Sequence, residues 1–208
     1  HSTRDFATPS PIQAQCWPIV LSGFDLIGIA STGSGKTLGF GLPMMAHIAA
    51  NKKPGGASAG KKGPFAVVLA PTRELALQIA SVLEDAGSRC GVRCCCVYGG
   101  VPKGPLVAAL KGGVVDIVGT PGRLSEMVRG AALQLHRCPV MILDEADQLL
   151  APNFSEDMAH IVAHAGKKLP GGRQTVLVSA TLSASVLRKF EKWCPSPAYV
   201  TAGGAAPH

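Results

Sequence analysis

The chain has 208 residues, of which 47% are hydrophobic and 16% are charged, and its formal net charge is +7. This length suits one domain with a sizeable core, and the composition excludes an intrinsically disordered chain. No run of about 18 apolar residues occurs, so we expect no membrane-spanning helix and no membrane partner. The excess of Lys and Arg favours polyanionic partners, because cations that neutralise phosphates release condensed counterions.

The seven cysteines are an odd number, and none of them has the paired CxxC spacing of a zinc site. We interpret them as the reduced thiols of an intracellular protein, whose compartment the sequence leaves open. Cys94, Cys95 and Cys96 fall in a predicted strand, where alternate side chains should pack on opposite faces.

Short apolar segments alternate with helical patterns along the chain, as in βαβ units around a parallel sheet that is buried on both faces. The predicted strands are, in chain order, Asp25–Ala30, Phe65–Ala70, Val92–Val97, Val115–Gly119, Val140–Asp144 and Thr175–Ser179. The predicted helices are Lys36–Ala50, Arg73–Ala86, Arg123–Arg129 and Ala184–Trp193. We therefore predict a single α/β domain with helices on both faces of one parallel sheet, and ligands beyond the carboxyl ends of its strands.

Three segments are expected to lie outside these elements. Residues 51–63 are rich in Gly, Lys and Pro and are interpreted as a mobile surface loop. Residues 203–208 are small and are interpreted as a linker that follows a domain spanning residues 1–202. Trp17 is interpreted as a packing residue in a Pro-rich apolar turn.

A glycine-rich turn follows the first predicted strand and opens a helix, with the sequence Ala30-Ser31-Thr32-Gly33-Ser34-Gly35-Lys36-Thr37. This context indicates a P-loop, whose backbone N–H groups and helix N-terminus hold phosphate oxygens. Lys36 is expected to reach the outer phosphates, and the Thr37 hydroxyl to help hold Mg²⁺. The general pattern begins with Gly where this chain has Ala30, but Gly33 and Gly35 are present. An ordinary Gly-rich turn would not require Lys-Thr at its end.

An acidic quartet, Asp144-Glu145-Ala146-Asp147, ends the strand Val140–Asp144. If this strand neighbours the first one, the carboxylates lie beside the phosphates. Because Mg²⁺ prefers carboxylate, phosphate and water oxygens, Asp144 is predicted to hold the metal, through water. Glu145 is then free to orient or deprotonate the attacking water. The alternative is a solvated acidic loop.

With these two motifs and several others in the same order, the chain resembles DEAD-box RNA helicases over nearly its whole length. The segment Phe6-Ala7-Thr8-Pro9-Ser10-Pro11-Ile12-Gln13 is similar to the Q motif of that family. The resemblance implies an ATP site with Phe6, Gln13, Ser31, Thr32, Gly33, Ser34, Gly35, Lys36 and Thr37. The Gln13 amide, which offers one donor and one acceptor, would pair with the adenine edge and select ATP over GTP.

Three segments match the RNA-facing motifs of the family: Pro71-Thr72-Arg73-Glu74-Leu75-Ala76, Gly99-Gly100 and Thr120-Pro121-Gly122-Arg123. The resemblance implies RNA contacts by Pro71, Thr72, Arg73, Gly99, Gly100, Thr120, Pro121, Gly122 and Arg123. Hydroxyls, backbone N–H groups and arginines suit phosphate oxygens rather than base edges, so binding should be independent of RNA sequence and sensitive to salt. Taken singly, these segments could be strand-to-helix caps.

Ser179-Ala180-Thr181 resembles the motif that links hydrolysis to RNA remodelling in the family. Its hydroxyls could hydrogen-bond to Asp147, and a plain cap for the following helix is compatible with the same residues.

The resemblance implies a RecA-like P-loop NTPase domain that uses ATP and Mg²⁺, binds RNA through its backbone, and acts within a monomeric ATP-dependent RNA helicase. A second RecA-like domain would follow residues 203–208 and supply the arginine fingers, so the first domain alone should turn over little ATP. A non-catalytic ATP-dependent RNA clamp or scaffold is the alternative. A DNA helicase or another RecA-like NTPase is disfavoured by Gln13 and the three RNA-facing motifs.

Overall fold

The computed structural model describes residues 8–51, 63–88, 91–111, 116–167, 172–194 and 196–202. Its strands are β1 (Leu26–Ala30), β2 (Ala66–Leu69), β3 (Cys94–Val97), β4 (Asp116–Gly119), β5 (Val140–Asp144), β6 (Gln174–Ser179) and β7 (Ala198–Ala202). They form one sheet in the order β3-β4-β2-β5-β6-β1-β7, and neighbouring strands run parallel. The carboxyl ends of the strands therefore meet at one edge of the sheet.

Helices cover both faces of this sheet. They are α1 (Pro11–Leu21), α2 (Lys36–Asn51), α3 (Arg73–Ser88), α4 (Lys103–Lys111), α5 (Pro121–Arg129), α6 (Ala146–Leu149), α7 (Ser155–His164) and α8 (Ala184–Glu191), with a 3-10 helix at Pro152–Phe154. Apolar side chains of α1, α2 and α3 pack on one face, and those of α4 to α8 pack on the other. None of the helices in the described ranges has the length and apolar character needed to cross a bilayer.

The predicted α/β fold is confirmed by one parallel sheet with helices on both faces, and its central strands are mostly apolar because both of their faces are buried, with Asp116 and Asp144 as the charged exceptions. Every residue of β1, β2, β4 and β5 is buried. Cys94 and Cys96 pack on the face of α1 to α3, and Cys95 packs on the opposite face, as the alternation predicts. Phe6, Cys90, Val115, residues 52–62 of the predicted loop and residues 203–208 of the predicted linker lie outside the described residues.

Helix α1 replaces the turn that was predicted around Trp17, and that prediction is wrong. Pro11 occupies the first helical position, where a missing N–H costs nothing, so proline there starts the helix. Pro18 lies within the helix, and the apolar spacing of Ile12, Cys16 and Val20 buries one side of it. Packing of that side against the sheet outweighs the interior proline.

Strand β7 is a second element that the sequence prediction missed. It pairs in parallel with β1 at the edge of the sheet, and Tyr199 and Thr201 are exposed on its outer positions. Two prolines, Pro195 and Pro197, precede it, and it lacks the apolar run of the buried strands.

The acidic quartet was predicted to lie beside the phosphates if its strand, β5, neighbours β1, and the observed strand order differs from that assumption. Strand β5 does not neighbour β1, because β6 lies between them and pairs with both. The carboxylates therefore face the glycine-rich turn across the end of β6.

Candidate active site

A pocket of about 490 Å³ lies at the carboxyl ends of β1, β5 and β6. It is lined by Gln13, by Thr32, Gly33, Gly35, Lys36 and Thr37 of the glycine-rich turn, by Asp144, Glu145 and Asp147 of the acidic quartet, and by Ala180. Four sequence motifs that are far apart along the chain thus meet in one cavity.

The glycine-rich turn needs glycine at two positions. Gly33 and Gly35 have φ angles of +76° and +88°, in the left-handed region that glycine adopts without strain. A Cβ atom at Gly35 would also lie 2.5 Å from Gln13 Nε2, so a larger residue would displace the Gln13 amide. The turn is shaped by its backbone, as a phosphate cradle requires.

Lys36 is the first residue of α2, and its ammonium group reaches back across the turn. Its Nζ donates to the carbonyl oxygens of Ala30 and Ser31, at 2.6 and 2.8 Å. Burial lowers the pKa of Lys36, and the nearby carboxylates Asp144, Glu145 and Asp147 oppose that shift. Phosphate oxygens would replace the two carbonyl groups as stronger, charged acceptors.

Gln13 ties α1 to this turn. Its side chain is only 3% exposed. Its Oε1 accepts a hydrogen bond from Ser10 N at 3.0 Å, and its Nε2 donates to Gly35 O at 3.1 Å. A primary amide retains one lone pair and one hydrogen beyond these two bonds, and this is the pair that an adenine edge would use.

Trp17 gives a second link between α1 and α2 that the sequence prediction missed. Its Nε1 donates to the carbonyl oxygen of Leu38 at 3.1 Å. The helix that carries Gln13 is therefore fixed to the helix that carries Lys36. The sequence shows a tryptophan one helical turn after Gln13, but it does not show that the indole N–H bonds to Leu38.

Asp144 is the buried carboxylate of the site, with 4% exposure. Its Oδ1 accepts a hydrogen bond from Glu145 N at 2.9 Å. Burial raises the pKa of Asp144 to about 6, although the hydrogen bond from Glu145 N and the charge of Lys36 act in the opposite direction. A carboxylate stripped of water in this way gains from a cation placed beside it.

Glu145 has a strained backbone, with φ 49° and ψ 52°. This is the left-handed region, where residues other than glycine are uncommon and which is often found at functional sites. The half-buried Glu145 side chain turns towards α6, where Gln148 Nε2 donates to its Oε2 at 2.9 Å. Neither feature is visible in the sequence.

Asp147 forms the hydrogen bonds that its motif predicted. Ser179 Oγ donates to its Oδ1 and Thr181 Oγ1 donates to its Oδ2, each at 2.8 Å. The cap of α8 is instead Ser183, whose Oγ accepts from Val186 N at 3.3 Å. The hydroxyls of Ser179 and Thr181 are therefore directed to the acidic quartet and not to the following helix.

The predicted RNA-facing residues lie at the carboxyl ends of β2, β3 and β4. Thr72 is exposed and also caps α3, since its Oγ1 accepts from Leu75 N at 3.2 Å. Gly99 and Gly100 are exposed, and a Cβ atom at either would meet nothing within 4 Å. Exposed backbone of this kind offers N–H groups to a ligand.

The two arginines of this surface are held by neighbouring side chains. Arg73 Cζ lies 4.6 Å from the centre of the Tyr98 ring, a cation–π distance. Arg123 Nε lies 3.1 Å from Glu126 Oε2. Pro71 and Pro121 are buried, and Thr120 and Gly122 complete the start of α5. The contact between Tyr98 and Arg73 was not predicted, although Tyr98 directly precedes Gly99 of a predicted RNA-facing motif.

The described residues offer Mg²⁺ no complete set of protein ligands. The described residues contain no group of three or more His, Cys, Asp and Glu side chains placed to hold an ion. Mg²⁺ commonly binds through one or two carboxylates together with phosphate and water oxygens, so Asp144 beside a phosphate cradle fits this ion.

Comparisons with known proteins agree with these motifs. A family model described as DEAD/DEAH box helicase matches residues 10–190. The chain is 43% identical over 201 residues to the DEAD-box ATP-dependent RNA helicase 5 of Arabidopsis thaliana, covering 96% of this chain and 37% of that protein. It is 45% identical over 185 residues to the ATP-dependent RNA helicase DBP2 of Mycosarcoma maydis, covering 88% of this chain and 32% of that protein.

Solved structures give the same result for the fold. The yeast DEAD-box splicing factor Prp28 matches with a TM-score of 0.91 and 27% identity, covering 99% of this chain and 48% of that chain. A DEAD box protein from the hyperthermophile Methanococcus jannaschii matches with a TM-score of 0.80 and 30% identity, covering 94% of this chain and 50% of that chain. The sheet is thus that of a RecA-like DEAD-box domain. The chain spans about a third of the length of the curated relatives named above, and it belongs to the DEAD/DEAH box helicase family.

Proposed function

We propose that this domain binds ATP with Mg²⁺ and, together with a second RecA-like domain, hydrolyses it to remodel RNA. The observation that carries the proposal is the meeting of Lys36, Asp144 and Glu145 in one pocket, with Asp147 bonded to the end of β6. The relatives named as ATP-dependent RNA helicases support RNA as the polyanion.

The glycine-rich turn binds the triphosphate. Backbone N–H groups of residues 33–37 and the N-terminus of α2 face phosphate oxygens, and Lys36 exchanges the carbonyl oxygens of Ala30 and Ser31 for the outer phosphates. Gln13 pairs with the adenine edge through its remaining amide hydrogen and lone pair, which favours ATP over GTP. Because Gln13 also bonds Gly35 O, base recognition and the shape of the turn depend on the same side chain.

Asp144 and Thr37 would hold Mg²⁺, which neutralises charge on the outer phosphates. Glu145 accepts the proton of a water molecule as the water oxygen bonds to the γ-phosphorus. The bond between that phosphorus and the β–γ bridging oxygen breaks, and the products are ADP and phosphate. Asp144 Oδ1 accepts a hydrogen bond from Glu145 N, which holds the Asp144 carboxylate beside the main chain of the next residue.

RNA binds along the carboxyl ends of β2, β3 and β4. The exposed Gly99, Gly100 and Gly122 offer backbone N–H groups, and Arg73 and Arg123 offer charge to phosphate oxygens. No base edge is read, so affinity should depend on salt more than on sequence. The bonds from Ser179 and Thr181 to Asp147 give a direct connection by which the phosphate state reaches the end of β6.

The direct test is titration of this chain with ATP and Mg²⁺ by calorimetry. Lys36→Ala should weaken binding about ten- to hundredfold, because charge-assisted hydrogen bonds contribute roughly 1.5–3 kcal/mol. Lys189→Ala is a matched control, since Lys189 Nζ also donates to a backbone carbonyl, that of Leu150 at 2.8 Å, outside the pocket. Equal ATP affinities for the two variants would refute the proposal.

Unwinding separates the helicase from a clamp that only holds RNA. A short RNA duplex should be separated by the two-domain protein in the presence of ATP, and Glu145→Gln should abolish this while RNA binding is retained. A protein that binds RNA with ATP but releases no strand would be a clamp.

A further inference from the structure

Gln148 lies in the active-site pocket, although it belongs to none of the predicted motifs. Its Nε2 donates to Glu145 Oε2 at 2.9 Å, and its backbone N–H donates to Glu145 O, also at 2.9 Å. The residue therefore holds Glu145 through both its side chain and its main chain.

Glu145 has few other restraints in the described part of the chain. Its backbone N–H is bonded to Asp144 Oδ1, and the nearby ammonium group of Lys36 is bonded to Ala30 and Ser31. A half-buried glutamate with rotatable side-chain bonds would sample several rotamers unless a partner fixed its carboxylate. Within the described residues, the Gln148 side chain donates a hydrogen bond to that carboxylate.

We propose that Gln148 is a positioning residue that fixes Glu145 Oε2, so that Oε1 is presented to the attacking water. The inference rests on the proposed function, in which Glu145 accepts the proton of water. It assigns the orientation of the base to the residue directly after the acidic quartet. The left-handed backbone of Glu145 directs the carboxylate towards Gln148, and the amide then holds it there.

The test uses the full-length protein and measures kcat and KM of RNA-stimulated ATP hydrolysis. Gln148→Met removes the donor at similar length, and we expect kcat to fall about three- to tenfold, part of the ~10²–10⁴ that a general base contributes. KM for ATP should stay within about twofold, because phosphate and adenine contacts are unchanged.

Two further variants distinguish orientation from a general structural effect. Gln148→Glu also lacks the amide donor, so it should lower kcat at least as far as Gln148→Met does. Gln148→Arg restores a donor to Glu145 Oε2, so it should recover most of kcat relative to Gln148→Met. Because Gln148 is exposed, none of the three should lower the unfolding temperature appreciably.

Glu145→Gln is measured beside them, so that two failures can be told apart. If Glu145→Gln leaves kcat unchanged, the proposed function itself is wrong. If Glu145→Gln abolishes turnover while Gln148→Met keeps the wild-type kcat, or if Gln148→Arg recovers none of the kcat that Gln148→Met loses, the positioning role of Gln148 is overturned and the proposed function stands.

Discussion

The two halves of the functional edge are built differently. In the half that we propose binds phosphate (the phosphate half), side chains are hydrogen-bonded to one another or to nearby backbone: Gln13 to Gly35, Lys36 to Ala30, and Asp147 to Ser179. In the half that we propose binds RNA (the RNA half), at the ends of β2, β3 and β4, glycine backbone lies exposed with open space around it. Changes in the phosphate half should therefore lower stability more than changes in the RNA half do.

We expect the largest difference in stability when alanine replaces each of two glycines that have nearly the same backbone conformation. Gly35 and Gly100 have φ angles of +88° and +84°. Gly35→Ala adds the left-handed strain and drives a Cβ atom against the Gln13 amide, and we expect a loss of about 3 kcal/mol in the free energy of unfolding. Gly100→Ala adds the strain alone and should cost about 1 kcal/mol. Urea unfolding of the domain measures both, and equal losses would contradict the contrast.

The buried Asp144 carboxylate should lower the stability of the domain when it is ionised. Burial raises its pKa from 3.8 to about 6, so the folded state binds a proton more tightly than the unfolded state, and the ionised carboxylate destabilises the domain above pH 6. We expect Asp144→Asn to raise the free energy of unfolding by roughly 1–3 kcal/mol at pH 7.5.

The gain from Asp144→Asn should shrink as the pH falls from about 6 towards 4, where the native carboxyl is protonated in the folded state. Glu145→Gln is the adjacent control and should change stability by less than about 0.5 kcal/mol at either pH. Urea unfolding at pH 7.5 and 4.5 gives the comparison, and a gain that does not depend on pH would exclude this cause. The stabilised Asp144→Asn domain should bind ATP without its dependence on Mg²⁺.

The Ser179 and Thr181 hydroxyls donate to Asp147 and so connect the acidic quartet to the end of β6. Ser179→Ala combined with Thr181→Val removes both donors, and each loss should cost about 1 kcal/mol of stability. In the full-length protein, the number of strands released per ATP hydrolysed should fall about tenfold, within the usual range of coupling energies. Loss of hydrolysis and unwinding in equal proportion would show that these bonds serve catalysis and not coupling.

The smallest of the predicted effects is a loss of RNA affinity when Tyr98, in the RNA half, is replaced. Tyr98→Leu removes the ring beneath Arg73 and should weaken RNA binding about two- to fivefold, the value of an exposed cation–π contact. Tyr98→Phe keeps the ring and should bind as the wild type does. Fluorescence anisotropy with a single-stranded RNA measures both, and equal weakening by the two variants would assign the effect to the hydroxyl.

Much of the fold could be predicted because the central strands are buried on both faces. The strand Val140–Asp144 was predicted with its correct ends, since an apolar run meets a carboxylate there. The edge strand β7 is half exposed and lacks such a run, and α1 contains two prolines that resemble a turn. Both form because tertiary packing outweighs local preference, and a single sequence carries little information on that packing.

The candidate site divides in the same way. Lys36, Asp144 and Asp147 were found because phosphate and metal chemistry requires these residue types at fixed places along the chain. The strained backbone of Glu145 and the hydrogen bonds of Trp17 and Gln148 were not found, because they depend on how helices lie against the sheet. Motifs identify the reacting groups, but the residues that aim them must be read from the fold.

The position of β6 between β1 and β5 sets a distance that no loop can alter. Neighbouring strands lie about 4.8 Å apart, so the strand that leads to Lys36 and the strand that carries Asp144 are held roughly 10 Å from each other, a width suited to phosphate groups with a hydrated cation. Hydrogen bonds along both sides of β6 hold that spacing. We therefore expect nucleotide to displace the side chains and loops at the ends of these strands, while the strands themselves keep their separation.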